Sequence, residues 1–150
     1  MTEAPARSRR EVAVAAALVL VPLAITVVVL AFRHWYPTGD LAQAELRLRS
    51  FPSHPPLVGA AGRIVSDAGV QGNHPGPAFF WAAYPFYLVL GRSAWASEAA
   101  VAILGVAWVT TALWLVRRVA GTAVMAGVAV TFAVLLGGYG LDAGTQLWNP

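Results

Sequence analysis

Apolar residues run without a charge from Val12 to Phe32 and dominate again from Ala94 to Leu141, where only Glu98 and Arg117-Arg118 interrupt them. The first run, about 21 residues at about 1.5 Å per residue, reaches about 30 Å and matches the hydrocarbon core of a bilayer. It predicts a transmembrane helix over 12–32. Pro22 lies inside it, and the kink it brings is tolerable where Thr26 or a neighbouring helix satisfies the freed backbone groups. The second apolar region predicts two further spans, 94–116 and 119–141, with Arg117-Arg118 in a tight turn between them. Gly121, Ala123, Gly127 and Thr131 give the third helix small positions about a turn apart, which permits close packing.

Between these spans lies a polar stretch, 33–77, punctuated by Pro37, Pro52, Pro55, Pro56, Pro75 and Pro77. Helical spacing of Leu41, Ala44, Glu45 and Leu48 predicts a short helix within it, and the rest reads as irregular. Ala78 to Leu90 is apolar and rich in aromatics, but about 13 helical residues reach only about 20 Å. Its aromatic side chains favour the headgroup level, so 78–90 reads as an interfacial helix. The expected fold is thus an all-α membrane protein. It has three transmembrane helices and a loop carrying a short helix and an interfacial helix, all in one membrane domain spanning 1–150.

Composition agrees, since 58% of residues are hydrophobic and 11% charged, against roughly 25% charged in soluble domains. Arg7, Arg9 and Arg10 precede the first span as the n-region of a signal peptide would, but the apolar run is long and no A-x-A-like site ends it, which points to an uncleaved anchor. The absence of cysteine removes disulfides, thiolate nucleophiles and Cys-based metal sites. All ten basic residues are Arg, scattered at segment ends rather than in a stripe, which argues against a nucleic-acid partner. Compared segment by segment, the arginines place the amino terminus and the Arg117-Arg118 turn in the cytoplasm. The 33–77 loop and residues 141–150 then share the outer face of a multi-pass cytoplasmic-membrane protein.

The candidate chemistry lies in that loop. Asp40 opens the short helix, and its spacing to Gln43 is that of a capping box, a structural role compatible with a chemical one. Glu45, five residues on, sits on a neighbouring face and is placed to pair with Arg49 at i, i+4. His54 and His74 each precede a proline, in backbone biased to extended conformations that project the side chain from a turn. Two histidines without a further ligand set do not define a metal site. Glu98, near the outer end of its helix, either snorkels to water or makes a polar contact.

Taken in order, Gly39-Asp40 with Glu45-Leu46, His54-Pro55-Pro56-Leu57-Val58-Gly59, Asn73-His74-Pro75-Gly76-Pro77 and Trp148-Asn149-Pro150 resemble the amino-terminal part of actinobacterial membrane glycosyltransferases of the GT-C superfamily. The resemblance implies transfer of a sugar, with inversion, from a polyprenyl-phosphate donor to a glycan or other acceptor at the outer membrane face. Because members are much longer, it also implies that these residues form the first part of such an enzyme and are inactive alone. The family's first-loop acidic residue maps onto Asp40, as base toward the acceptor hydroxyl. Glu45, Arg47, His54, Asn73 and His74 would bind substrate, His74 foremost at the departing lipid phosphate. Some relatives use a divalent cation held by loop carboxylates, a role open to Asp40 and Glu45. Two other readings remain: a non-enzymatic transporter or lipid-binding membrane protein, and a truncated remnant in which Asp40 only caps its helix.

Overall fold

The computed structural model describes residues 3–33, 35–65, 69, 71–74 and 76–139. Pro75, the Trp148-Asn149-Pro150 motif and the end of the expected third span lie outside the described residues. The elements are α1 (Glu3–Phe32), α2 (Gly39–Ser50), β1 (Ala61–Val65), β2 (Gln71–Asn73), α3 (Ala78–Val89) and α4 (Ala94–Tyr139).

Among the described residues two helices, within α1 and α4, are long and apolar enough to cross a membrane, and most of their side chains face outward. Leu18, Ile25, Trp108 and Val134 are among the exposed ones. A water-soluble protein does not leave apolar surface on this scale uncovered, so the pattern is that of a membrane protein. The helix extends beyond the expected start of the first span, since α1 reaches back through Arg9 and Arg10 to Glu3. Pro22 is accommodated, but not as expected: Thr26 Oγ1 donates to the Pro22 carbonyl at 3.0 Å. The carbonyl freed by the proline is that of Leu18, one turn earlier, so the hydroxyl back-bonds on its own turn instead of repairing the gap.

Where two separate spans, 94–116 and 119–141, are expected, the chain forms one broken helix. Arg117 and Arg118 remain helical, and the break falls at Gly121, whose φ of 86° and ψ of −179° are non-helical. Such a conformation is open almost only to glycine, which is why the turn sits there and not at the arginine pair. A straight α4 of 46 residues would extend about 69 Å and carry its second half past the end of α1. Instead Met125 and Ala129 are buried in one cluster with Val12, Ala16, Val19, Leu20, Leu23 and Leu113, with Phe132 and Leu136 packed against it. The second arm therefore returns along α1.

At the other end of the bundle, Trp95 Nε1 donates to the Val27 carbonyl at 2.9 Å, setting the start of α4 beside the end of α1. The intervening segment caps that end. α2 and α3 close over it through Ala44, Leu48, Phe51, Phe80, Ala83 and Tyr87, which bury against Ala96, Ala100 and Val101 of α4. α3 ends in a tight reversal: Arg92 N–H bonds the Tyr87 carbonyl at 3.0 Å and Gly91 N–H that of Leu88. Gly91 takes φ 95°, as the Schellman cap requires.

The stretch expected to be irregular holds a small antiparallel hairpin, β1 with β2, in which Ala61 faces Asn73 and Val65 faces Gln71. The pairing continues outward through His74 N–H to Ala60 O and Gly59 N–H to His74 O. The two strands meet so closely at Gly59 that a Cβ there would stand 2.6 Å from the His74 carbonyl oxygen. Gly59→Ala is accordingly expected to open this pairing at a cost of about 1–3 kcal/mol, seen as a lower unfolding temperature and faster proteolysis within 59–74. Unchanged protease resistance would show that the close approach is not required.

Candidate functional site

The site predicted from the loop motifs is the cap over the α1–α4 end. Asp40 is not the N-cap of α2. That position belongs to Thr38, with extended φ −125° and ψ 161°, and Asp40 lies in the first helical turn, exposed. Thr38 and its flanking Gly39 (φ 55°) carry the chain into the helix, which moves the start two residues ahead of the expected box. A carboxylate in the first turn faces the positive end of the helix dipole, which favours Asp40 at this position. Basic Arg47 and Arg49 occupy the last turn, the matching arrangement at the negative end.

Glu45 lies on the other side of the same helix and is 6% exposed. Its Oε1 accepts from Arg49 Nη2 at 2.7 Å, the expected i, i+4 pair, and from the Tyr87 hydroxyl at 3.0 Å. The tyrosine bond spans α2 to α3, and nothing in the sequence distinguishes Tyr87 from the other aromatics of 78–90. It is fully buried. Burial, then the bond to Glu45, pushes the Tyr87 phenol up from its ordinary value, because both make a phenolate beside the carboxylate costly. The hydrogen bond to Glu45 holds the Arg49 guanidinium above its ordinary value as well. With Asp40 exposed and Glu45 turned inward, the two carboxylates emerge on different sides of α2. Among the described residues no three His, Asp or Glu side chains gather as a metal site.

Arg47 is a tie between elements. Its Nη1 donates to the carbonyls of Val58, at 3.3 Å, and Gly59, and its Nη2 donates to Asn73 Oδ1 at 2.8 Å. The guanidinium also lies 5.9 Å from the centre of the Phe80 ring. One planar fork thus joins α2, the Gly59 strand extension, β2 and α3, a geometry that an ammonium could not reproduce. Arg47 and Asn73, two of the residues expected at substrate, therefore meet each other. His54 is exposed, with Nδ1 3.0 Å from Ser53 Oγ and its N–H on the Ser50 carbonyl at 2.8 Å, ending α2. His74 is half-buried, its backbone holding the Gly59–Ala60 pairing.

Aromatic contacts complete the cap. Phe51 stacks on Tyr84 with centroids 4.0 Å apart and meets Trp81 edge-on at 4.8 Å. Trp81 Nε1 donates to the Pro56 carbonyl at 3.0 Å, which seats the His54-Pro55-Pro56 turn against α3. Glu98 is buried, 2% exposed, so it packs within the protein and does not snorkel. The cap is thus a rigid, hydrogen-bonded platform with Asp40 on its open side. No protein-family model, curated protein or solved structure matches this chain.

Proposed function

We propose that this chain carries the first outer-face loop and the acceptor-activating carboxylate of a polytopic membrane glycosyltransferase that uses a polyprenyl-phosphate sugar donor. In this reading α1 and the two arms of α4 each cross the bilayer. The second arm, 18 residues from Thr122 to Tyr139, has about 27 Å of helix for the purpose. The capped end lies on the outer face of the cytoplasmic membrane and the Arg117-Arg118 end in the cytoplasm, following the arginine asymmetry. α3 lies in the interface, with Trp81 and Phe86 toward the headgroups.

The observation that carries the reading is Asp40: an exposed carboxylate on a helix that is itself immobilised at the end of the membrane bundle. Glu45–Tyr87 and the Arg47 fork fix α2 at the end of the bundle, which supports the reading because a general base must be held in a set position toward its substrate. Asp40 takes the proton of the acceptor hydroxyl as its oxygen attacks the anomeric carbon of the lipid-linked sugar. The bond to phosphate breaks and the polyprenyl phosphate leaves with the electron pair, inverting the sugar. His74 and His54 are the candidate donors to that phosphate.

Glu98 favours a second reading, a transporter or lipid-binding protein, since a buried ionisable residue in a membrane helix often marks a pathway. It stands one turn into α4, at the capped end rather than the midplane, where transporters place their sites.

The test is sugar transfer in membranes from cells expressing the complete reading frame with Asp40→Asn. Transfer is expected to fall about a hundredfold, the size of a lost general base, while membrane insertion and amount stay normal. Turnover within a few-fold of wild type would exclude Asp40 as the base.

A further inference from the structure

The end of the bundle opposite the cap gathers two arginine pairs that are remote in sequence. Glu11 Oε2 accepts from Arg117 Nε at 2.8 Å and from Thr122 Oγ1 at 3.1 Å, drawing α1 to both sides of the Gly121 turn. Arg9 and Arg10, two and one residues before Glu11, are exposed at this end. The Arg118 guanidinium lies 4.7 Å from the centre of the Trp114 ring, and Trp114 itself is 41% exposed. Residues 9–11 and 117–118 thus place four guanidinium groups against one carboxylate. Directly beside them the outward surface turns apolar, with Val14, Val119 and Val124 exposed.

We propose that this end is a binding surface for anionic phospholipid headgroups, in which Arg9, Arg10 and Arg118 engage the phosphates. Arg117, held by Glu11, forms the scaffold. Three features argue for a lipid. The positive surplus complements an anionic phosphodiester, and the guanidinium fork matches phosphate oxygens. The charges sit at the boundary of an apolar belt, where headgroups lie within reach of the side chains. Trp114 is amphipathic and favours the same depth, and the contact of its ring with the Arg118 guanidinium keeps that charge near the same level, limiting the ordering needed on binding. The fold assembles the surface, because only the return at Gly121 and the Glu11 bonds place residues 117–118 beside 9–10.

The proposal rests on the bilayer-crossing part of the reading above and is independent of sugar transfer, so each fails by its own assay. The test is thermal unfolding of the purified full chain in a neutral detergent, titrated with phosphatidylglycerol or with phosphatidylcholine of the same chains. Phosphatidylglycerol is expected to raise the unfolding temperature by several degrees and phosphatidylcholine not to. The increment should vanish in about 1 M salt, where the screening length falls to about 3 Å, and in the Arg9→Gln/Arg10→Gln/Arg118→Gln protein, which keeps the Glu11 clamp. An equal response of the wild-type protein to both lipids would overturn the proposal whether or not the triple variant folds. Full retention of the increment in the triple variant would overturn it too.

Discussion

Tyr87→Ala is expected to cost about 3–5 kcal/mol of stability, the range for deleting a buried aromatic side chain. Two losses combine. The ring is fully buried among Leu48, Phe80, Ala96 and Ala100, so its removal leaves a cavity at the junction of α2, α3 and α4. Its hydroxyl is also one of two donors to the buried Glu45 carboxylate. The remaining donor, Arg49, has a side chain 55% exposed, and an ion pair open to water contributes little. Tyr87→Phe separates the terms by keeping the ring. It should cost about 1.5–3 kcal/mol, as for a hydrogen bond to a charged group, and equilibrium unfolding in detergent reads both variants. A Tyr87→Phe protein as stable as wild type would show that the bridge from α2 to α3 is not energetically coupled.

The same bond has an alkaline signature. The folded state holds Tyr87 protonated beyond its ordinary value of 10.0, so the unfolded state loses this proton first. The contribution is therefore complete below about pH 10 and is lost as pH rises through the higher folded value. Wild-type stability should fall more steeply above pH 10 than that of Tyr87→Phe, whose other tyrosines and arginines are unchanged.

Gly121→Ala is the second large effect. At φ 86° and ψ −179° an L-residue is strained by about 1–3 kcal/mol. A Cβ there would meet nothing within 4 Å, so the cost is torsional and repacking cannot relieve it. Relief comes only by moving the turn, which pulls Met125 and Ala129 from α1 and strains the Glu11 bonds to Arg117 and Thr122. Glu11→Ala should weaken the same turn, and the double variant should lose less than the two separately, since both act on one structural unit. Because the chain has no cysteine, paired labels on the two arms of α4 report their separation directly. The expected result is lower stability and a broader separation in Gly121→Ala, and an unchanged distance distribution would refute the return of the second arm as a turn centred on glycine.

How much of this was visible beforehand depends on the range of the interaction. α2 was legible from apolar spacing, and Glu45–Arg49 from a four-residue offset, because both are local along one helix. The start of α2 was misplaced by two residues because Thr38 and Asp40 are both good caps, and choosing between them takes backbone conformation. The hairpin of β1 and β2 leaves no signal in the sequence because each strand is too short to show alternation. It is held by partners outside itself, Arg47 on Asn73 and Gly59 against His74. The motifs single out Asp40 for chemistry and Arg47 and Glu45 for substrate, whereas the structure engages Arg47, Glu45 and Tyr87 in holding α2.

The sequence by itself determined that the chain has long helices too apolar for water, with a polar segment between them, because hydrophobicity and helical rise are properties of consecutive residues. Only the tertiary structure decided where α4 turns, since that depends on one glycine conformation and on α1 receiving the second arm. It likewise decided that Glu45 faces inward to Tyr87, 42 residues away, and that Glu11 joins Arg117 across 106 residues. Such contacts need the intervening chain to fold before their side chains can meet.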